Sequence, residues 1–396
     1  MAGGLSKPHV PSYTEGTGRP GAYEPTVRKD GTMKSRVEKL RRKLDAQGLD
    51  ALLVTEPYNR RYLSGFTGSN GMLLIGPETA QIATDFRYFE QARQEAADFE
   101  LFEADRDFGA WFKRLVAPFG GKRLGFEAAH VSVDLHRQMR EFINELPAGQ
   151  RPEFVPTVGI VESLRMIKEP EEIAALERVI ALGDAAFAHV AQRIEPGWTE
   201  KQVAWEIEKY IREHGGEGLS FSTIVAGGPH GALPHARPRD VPLKKGEGVV
   251  IDMGALLDGY CSDMTRTIVL GEPDEQFKKI YDIVLTAQLT AEELIEAGMR
   301  GDQAHAIAHK VIEEAGYGPN FGHGLGHGIG LQVHELPWLR PTSTSVLENG
   351  MVFSVEPGIY ITGWGGVRIE DLVVLENGRC RVLTKSPKVR AAGAVA

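Results

Sequence analysis

From Ser35 onward, apolar residues recur with helix or strand periods, whereas residues 1–32 hold many Gly, Pro, Ser and Thr without any period and read as a flexible tail, with Met33 an alternative start. The spacing predicts an amphipathic helix over 36–47 that stops at Gly48, then a buried strand at 51–54 with the run Ala-Leu-Leu-Val. A hairpin is expected from 72–76 and 79–84, helices over 88–97, 108–116 and 133–145, and a strand at 123–126. That alternation implies an α/β domain to about residue 160.

A different rhythm begins after the segment 161–170. A long helix is expected over 171–194 and a second over 199–214, then strands around 220–227 and a hairpin rich in acids. The order repeats with helices over 274–297 and 302–315, a His-rich stretch over 321–336, and a second acidic hairpin. Two such halves predict a pseudo-symmetric α+β domain with its site between them; no short-period repeat supports a solenoid.

The hairpins carry the most pointed signal. In the first, pairing about a turn from Leu256 to Gly259 sets Asp252 opposite Asp263. In the second, pairing about Gly363 sets Glu356 opposite Glu370. Directly opposed residues have Cβ atoms roughly 4.5–5.5 Å apart, and like charges there are destabilising. Two such pairs imply cations held between them.

Composition adds exclusions. The chain has 396 residues, 42% hydrophobic and 25% charged, enough for two domains with proper cores. A formal charge of −9 argues against a nucleic-acid partner, and the basic run 38–43 reads as a solvated helix face. Only Cys261 and Cys380 are present, which fits a reduced, cytoplasmic chain without a disulfide framework; Cys261, two residues before Asp263, reads as core rather than ligand. No apolar run approaches the ~18 residues of a membrane span. Residues 66–71 lack the lysine and spacing of a phosphate-binding loop and read as a turn.

Between the hairpins lie His323, His327 and His334, with glycines alternating at 322, 324, 326, 328 and 330 so that the backbone can come close to a neighbour or take positive φ. Four carboxylates and one imidazole form an oxygen-rich set that suits Mn²⁺, Fe²⁺ or Co²⁺ and also accepts Zn²⁺. Bridging carboxylates hold two ions ~3.5–4 Å apart, an arrangement used to hydrolyse carbonyl-type bonds, and the remaining histidines would face a developing oxyanion. Among the neighbours, Asp258 reads as a turn residue, Asp371 as pointing away from Glu370, Glu335 and Glu348 as solvent-facing or supporting, and Arg266 and Arg368 as partners of nearby carboxylates or of substrate.

At these residues the chain resembles the Xaa-Pro aminopeptidases and Xaa-Pro dipeptidases (prolidases) of the pita-bread fold. The likeness covers roughly residues 35–385. It is carried by residues 222–227, Ala232-Leu233-Pro234-His235, the 252–266 hairpin, the 322–335 loop, Val355-Glu356-Pro357-Gly358 and the run 366–371, with Tyr62-Leu63-Ser64-Gly65 the familiar part of the N-terminal region. The resemblance implies a flexible tail over 1–32, a creatinase-like α/β domain over 33–163 and a pita-bread catalytic domain over 164–390. It makes Asp252, Asp263, His327, Glu356 and Glu370 the ligands of two divalent ions, most simply Mn²⁺, with Asp263 and Glu370 bridging. His235 and His334 become the substrate-facing histidines, Glu356 the proton shuttle, Arg368 a residue of the proline-side pocket, and His323 a less direct member. Peptides with proline second, a cytoplasmic setting and a homodimer are implied as well.

Other occupants of the fold differ in their acids, domains or substrates. Creatinase works without this acid set, and methionine aminopeptidases usually lack such an N-terminal domain. Hydrolases or lyases of non-peptide small molecules, such as ectoine hydrolases, share the scaffold, because ligands alone do not fix the pocket. A non-catalytic binding scaffold is the remaining class.

Overall fold

The computed structural model describes residues 32–391. The expected 1–32 tail lies outside the described residues, save that Thr32 opens the first helix, Thr32–Ala46. That helix buries Val37, Leu40 and Leu44 at helical spacing. They pack on a six-stranded mixed sheet ordered Glu100–Glu103, Ala80–Thr84, Met72–Ile75, Ala51–Val54, Arg123–Glu127, Glu153–Thr157. Strand alternation divides the core: Leu52 and Val54 join the first helix, while Ala51 and Leu53 meet helices Phe108–Val116 and Val133–Glu145 on the other face.

The expected elements of this part are present, and three were missed. Strands Glu100–Glu103 and Glu153–Thr157 form the two edges of the sheet and alternate poorly, since much of each is exposed. Helix Pro57–Ser64 spans only eight residues, too few to show a period. It is defined by its ends: Pro57 opens it, the Glu56 carboxylate accepts from Asn59 N, and Gly65 closes it at φ 75°.

The second part is built from two helix pairs. Helices Pro170–Ala191 and Glu200–Glu213 pack together, as do Glu275–Leu294 and Gly301–Glu314. Thr199 caps the second helix by accepting from Gln202 N, while the Gln202 side chain accepts from Thr199 N. Each pair covers its own apolar cluster. Strand Asp371–Glu376 lies between the two clusters, with Leu372 and Val374 in one and Val373 and Leu375 in the other. The expected two-half α+β arrangement is therefore present.

The hairpins need one correction. In the first, Asp252 pairs with Thr265, not with Asp263. The tight turn is Asp258-Gly259, both at positive φ (53° and 76°), so Leu257 faces Tyr260 and every pair slides by two residues. A two-residue turn with both residues at positive φ matches the strand twist, and Asp-Gly takes that shape more readily than the Leu257-Asp258 pair the expected register would put there. Because the slip is even, Asp263 keeps its face and remains a diagonal neighbour of Asp252. In the second hairpin, Gly358 faces Arg368 and Val355 faces Asp371, the register that sets Glu356 level with Glu370. Both acids sit where strands Val352–Val355 and Asp371–Glu376 give way to Gly358–Ile361 and Gly365–Arg368.

The turn has a testable consequence. Gly259 takes a left-handed φ, and a Cβ there would run into the Arg61 guanidinium. Gly259→Ala should lower stability by about 1–2 kcal/mol, read from the urea midpoint at unchanged slope. An unchanged midpoint would mean that this turn does not hold the register.

Candidate metal centre

Strand Gly248–Met253 turns Val249, Ile251 and Met253 onto the first helix pair, and Asp252 therefore points the other way. Strand Met264–Val269 does the same, with Met264 and Ile268 in the core and Thr265 and Thr267 opposite them. His327 sits on a short strand, Gly326–Gly328, within what the sequence suggested was a loop. A Cβ at Gly326 would overlap the Ser354 carbonyl, and one at Gly328 the Leu336 carbonyl. Gly326 and Gly328 thus serve close backbone approach, whereas Gly322 has open space around it, and none of the five has positive φ.

These elements open on one cavity of about 780 Å³. It is lined by Asp252, Asp263, His327, Glu356 and Glu370, and by His235, His323, His334 and Arg368. Ligand atoms of Asp263, His327 and Glu370 lie within 4.8 Å of one another. His327 Nε2 stands 3.6 Å from Asp263 Oδ2 and 3.4 Å from Glu356 Oε1, too far for good hydrogen bonds but suited to a shared centre. Asp252 and Glu356 lie outside that group of three, and Asp252 Oδ2 accepts from Arg368 Nη2 at 2.5 Å.

Two oxygens decide what the cavity fits. Asp252 Oδ1 and Glu370 Oε1 are buried without a hydrogen-bond partner among the described residues. A buried carboxylate oxygen left so is costly unless a cation meets it. Burial pushes Asp263 well above the usual carboxylate range, and Glu370, Asp252 and Glu356 add to the shift. Burial also raises Glu370, with Glu356 and Asp252 contributing next. Glu356 is raised mainly by burial. Burial lowers His327, keeping its ring neutral and able to ligate. Oxygen donors with one neutral imidazole fit divalent cations.

The surrounding hydrogen bonds were only partly foreseen. Thr265 donates to Glu370 Oε2 at 2.7 Å and accepts from Arg368 Nε at 3.0 Å. Ser354 donates to Glu356 Oε1 and accepts from His327 N, both at 3.1 Å. Arg368 Nη1 donates to the Tyr360 hydroxyl at 2.8 Å, and that hydroxyl also meets His323 Nε2 at 3.0 Å. Tyr360 went unnoticed, although glycines at 358 and 366, where any Cβ would strike its ring, marked room for a large side chain. Trp338 also lines the cavity, with its ring centroid 6.4 Å from that of His334.

The remaining charges sort as follows. Asp258 is a turn residue, and Arg266 pairs with Asp371 in the core. Cys261 is buried and donates to Leu331 O, away from the cavity; both cysteines are free. Glu335 is not solvent-facing: it is buried, pairs with Arg165 and Lys168, and is held below its ordinary pKa despite burial because of those two cations.

The electrostatics predict a linkage. With their native proton affinity raised by burial, Asp263 and Glu370 hold their protons to higher pH in the folded, cation-free protein than in the unfolded chain, which ionises above about pH 4. Their contribution to stability is therefore lost as pH rises toward the native values, and a bound cation restores it by displacing the protons. The gap in urea midpoint between cation-loaded and chelator-treated protein should widen from about pH 5 to about pH 8. A gap independent of pH would show that these carboxylates do not bind the cation.

Comparisons with known proteins show the family and the fold. The model of metallopeptidase family M24 matches residues 174–377, and that of the creatinase/prolidase N-terminal domain matches residues 36–167. An uncharacterized peptidase of Bacillus subtilis, YqhT, is 43% identical over 354 residues, covering 89% of this chain and 98% of its own. A Xaa-Pro dipeptidase of Pyrococcus furiosus is 36% identical over 362 residues, covering 90% and 99%. Among solved structures, a Xaa-Pro dipeptidase from Bacillus anthracis has a TM-score of 0.85 at 41% identity, covering 91% and 99%, and an X-Pro aminopeptidase from Thermotoga maritima has 0.82 at 38%, covering 90% and 99%.

Proposed function

The chain belongs to metallopeptidase family M24, with the pita-bread catalytic fold and a creatinase-type N-terminal domain, and on this premise we propose that it hydrolyses the bond between an N-terminal residue and proline. The observation that carries this reading is the convergence of five candidate ligands, two with orphaned oxygens, on a cavity that also holds His235 and His334. Relatives named Xaa-Pro dipeptidase and X-Pro aminopeptidase at 36–41% identity support the preference for proline. We place the division between the domains at residues 163 and 164, within the short helix Glu162–Arg165 and between the two matched segments.

Asp252, Asp263, His327, Glu356 and Glu370 would hold two divalent cations, with manganese suited to the oxygen-rich set. Those cations supply Lewis-acid activation of the scissile carbonyl and of the attacking water. The protein's own groups do the rest. His235 and His334 donate hydrogen bonds to the oxygen that gains charge and orient the scissile amide. The His334 pKa is lowered to about 4, mainly by burial, so the ring is a neutral donor near pH 7. Glu356, with its raised proton affinity, accepts a proton from water and passes it to the proline nitrogen as the C–N bond breaks. Arg368 fixes Asp252 Oδ2 and Thr265, and it lines the cavity on the side proposed for the proline.

Cation-loaded protein assayed on Xaa-Pro dipeptides and on longer Xaa-Pro peptides tests the reading and distinguishes dipeptidase from aminopeptidase. Failure to release the N-terminal residue from both sets would sink it. His334→Ala should lower kcat by about 10²–10³-fold with cation stoichiometry intact. Asp263→Asn should lose both bound cation and activity; retained stoichiometry would remove Asp263 from the ligand set.

A further inference from the structure

We propose that the buried ion pairs joining Glu335 to Arg165 and Lys168 hold His334 in its working position, so that the segment between the two domains tunes chemistry in the cavity. This rests on the reading that His334 acts on substrate. Among the described residues the His334 ring makes no hydrogen bond; its neighbours are the rings of His327, 4.3 Å away, and Trp338. Its direction is therefore set by the backbone of residues 330–335, and that backbone is gripped on both sides of it.

Glu335 directly follows His334 and opens strand Glu335–Leu339. One carboxylate oxygen takes the Arg165 guanidinium, and the other accepts from Lys168 Nζ at 2.8 Å. The same Arg165 Nη2 donates to Gln332 Oε1 at 2.9 Å, so one guanidinium spans His334 from two residues before it to one after. The three charged side chains are only 1–6% exposed. Leu331 packs into the apolar cluster of the N-terminal domain, and Gly330 O accepts from Cys261 N at 2.8 Å.

Arg165 is itself braced from the N-terminal domain. Its Nη1 donates to Asn59 Oδ1 at 2.9 Å, while Asn59 Nδ2 donates to Glu127 at 2.7 Å and to Glu162 at 2.9 Å. A buried ion pair is a weak source of stability compared with apolar packing of the same volume, and it fixes geometry instead. Here the geometry it fixes is that of a cavity histidine. Arg165, Lys168 and Glu335 are positioning residues, since none of them lines the cavity.

The test is a double-mutant cycle with the full-length, cation-loaded enzyme and the Xaa-Pro peptide it cleaves best. Arg165→Met should lower kcat by about tenfold to a hundredfold, as expected for a donor displaced by ~1 Å, with KM within about threefold and cation stoichiometry unchanged. In the His334→Ala background the same substitution should change kcat by less than about twofold, because its route of action has been removed. Equal losses in both backgrounds, no loss in the wild-type background, or loss of bound cation each overturn the proposal. If Arg165→Met does not fold, Glu335→Gln, which keeps the side-chain volume, is carried through the same cycle with the same outcomes. His334→Ala alone separates the two levels: full activity there refutes the role of His334, whereas an inactive His334→Ala beside a fully active Arg165→Met refutes only the positioning.

Discussion

Mutual repulsion among Asp252, Asp263, Glu356 and Glu370 is the constraint around which the catalytic half is organised. Two unit charges 4–5 Å apart repel by roughly 3–4 kcal/mol at an effective dielectric constant of about 20, and ligand atoms of Asp263 and Glu370 are no more than 4.8 Å apart. Arg237, Arg340 and Arg368 line the cavity, and among the described residues only Arg368 is ion-paired with one of the four acids. Protonation or divalent cations must balance the remainder, and the orphaned oxygens of Asp252 and Glu370 indicate cations. That ion pair also accounts for the arrangement around it. Arg368 takes Asp252 directly and reaches Glu370 only through Thr265, which fixes both acids while leaving an oxygen of each free.

Strand register is how the fold sustains this arrangement. Carboxylates in the middle of a continuous ladder would be locked side by side on a flat surface. Asp263, Glu356 and Glu370 instead sit in breaks where one pair of strands hands over to another, and the broken backbone finds other partners: Glu356 N donates to Leu325 O, and Glu370 N to Thr265 O. Those two bonds tie the second hairpin to the His-bearing strand and to the first hairpin. Arg266 adds a tie from the core, donating to Glu370 O at 2.5 Å and to the Asp371 carboxylate at 2.6 Å. The acids are thereby held from the backbone side, independently of what lies between their carboxylates.

Parity survived in the sequence better than register did. A side chain's face depends only on whether it lies an even or odd number of residues away, so the two-residue slip at Asp258-Gly259 left Asp263 on the correct face. The second register was legible because its turn is symmetric about Gly363. For Glu335 the sequence left a solvent-facing and a supporting role open, and the structure shows the supporting one. Its partners, Arg165 and Lys168, lie 170 and 167 residues earlier in the chain, before both helix pairs and the first hairpin. Tyr360 was hidden similarly, since its hydroxyl gains meaning only once Arg368 and His323 converge on it. Edge strands and an eight-residue helix escaped because short or half-exposed segments carry no period to read.

The contact between the two domains shows the same logic at a larger scale. An N-terminal domain that merely accompanied the catalytic one would meet it through an ordinary polar surface. Instead, Arg36 pairs with Glu169 and Glu172 at the start of the long helix, Arg61 donates to Asp258 O at the turn that sets the first register, and Leu331 enters the N-terminal apolar cluster. The last two contacts fall on elements that lead to a cavity residue: the turn precedes Asp263, and Leu331 precedes His334. Rigid support from outside is what a cavity of mutually repelling groups needs, because its own interior supplies little cohesion until cations are bound. The N-terminal domain is then part of how the acids and histidines keep their places, even though the cavity lining described above comes wholly from residues after 220.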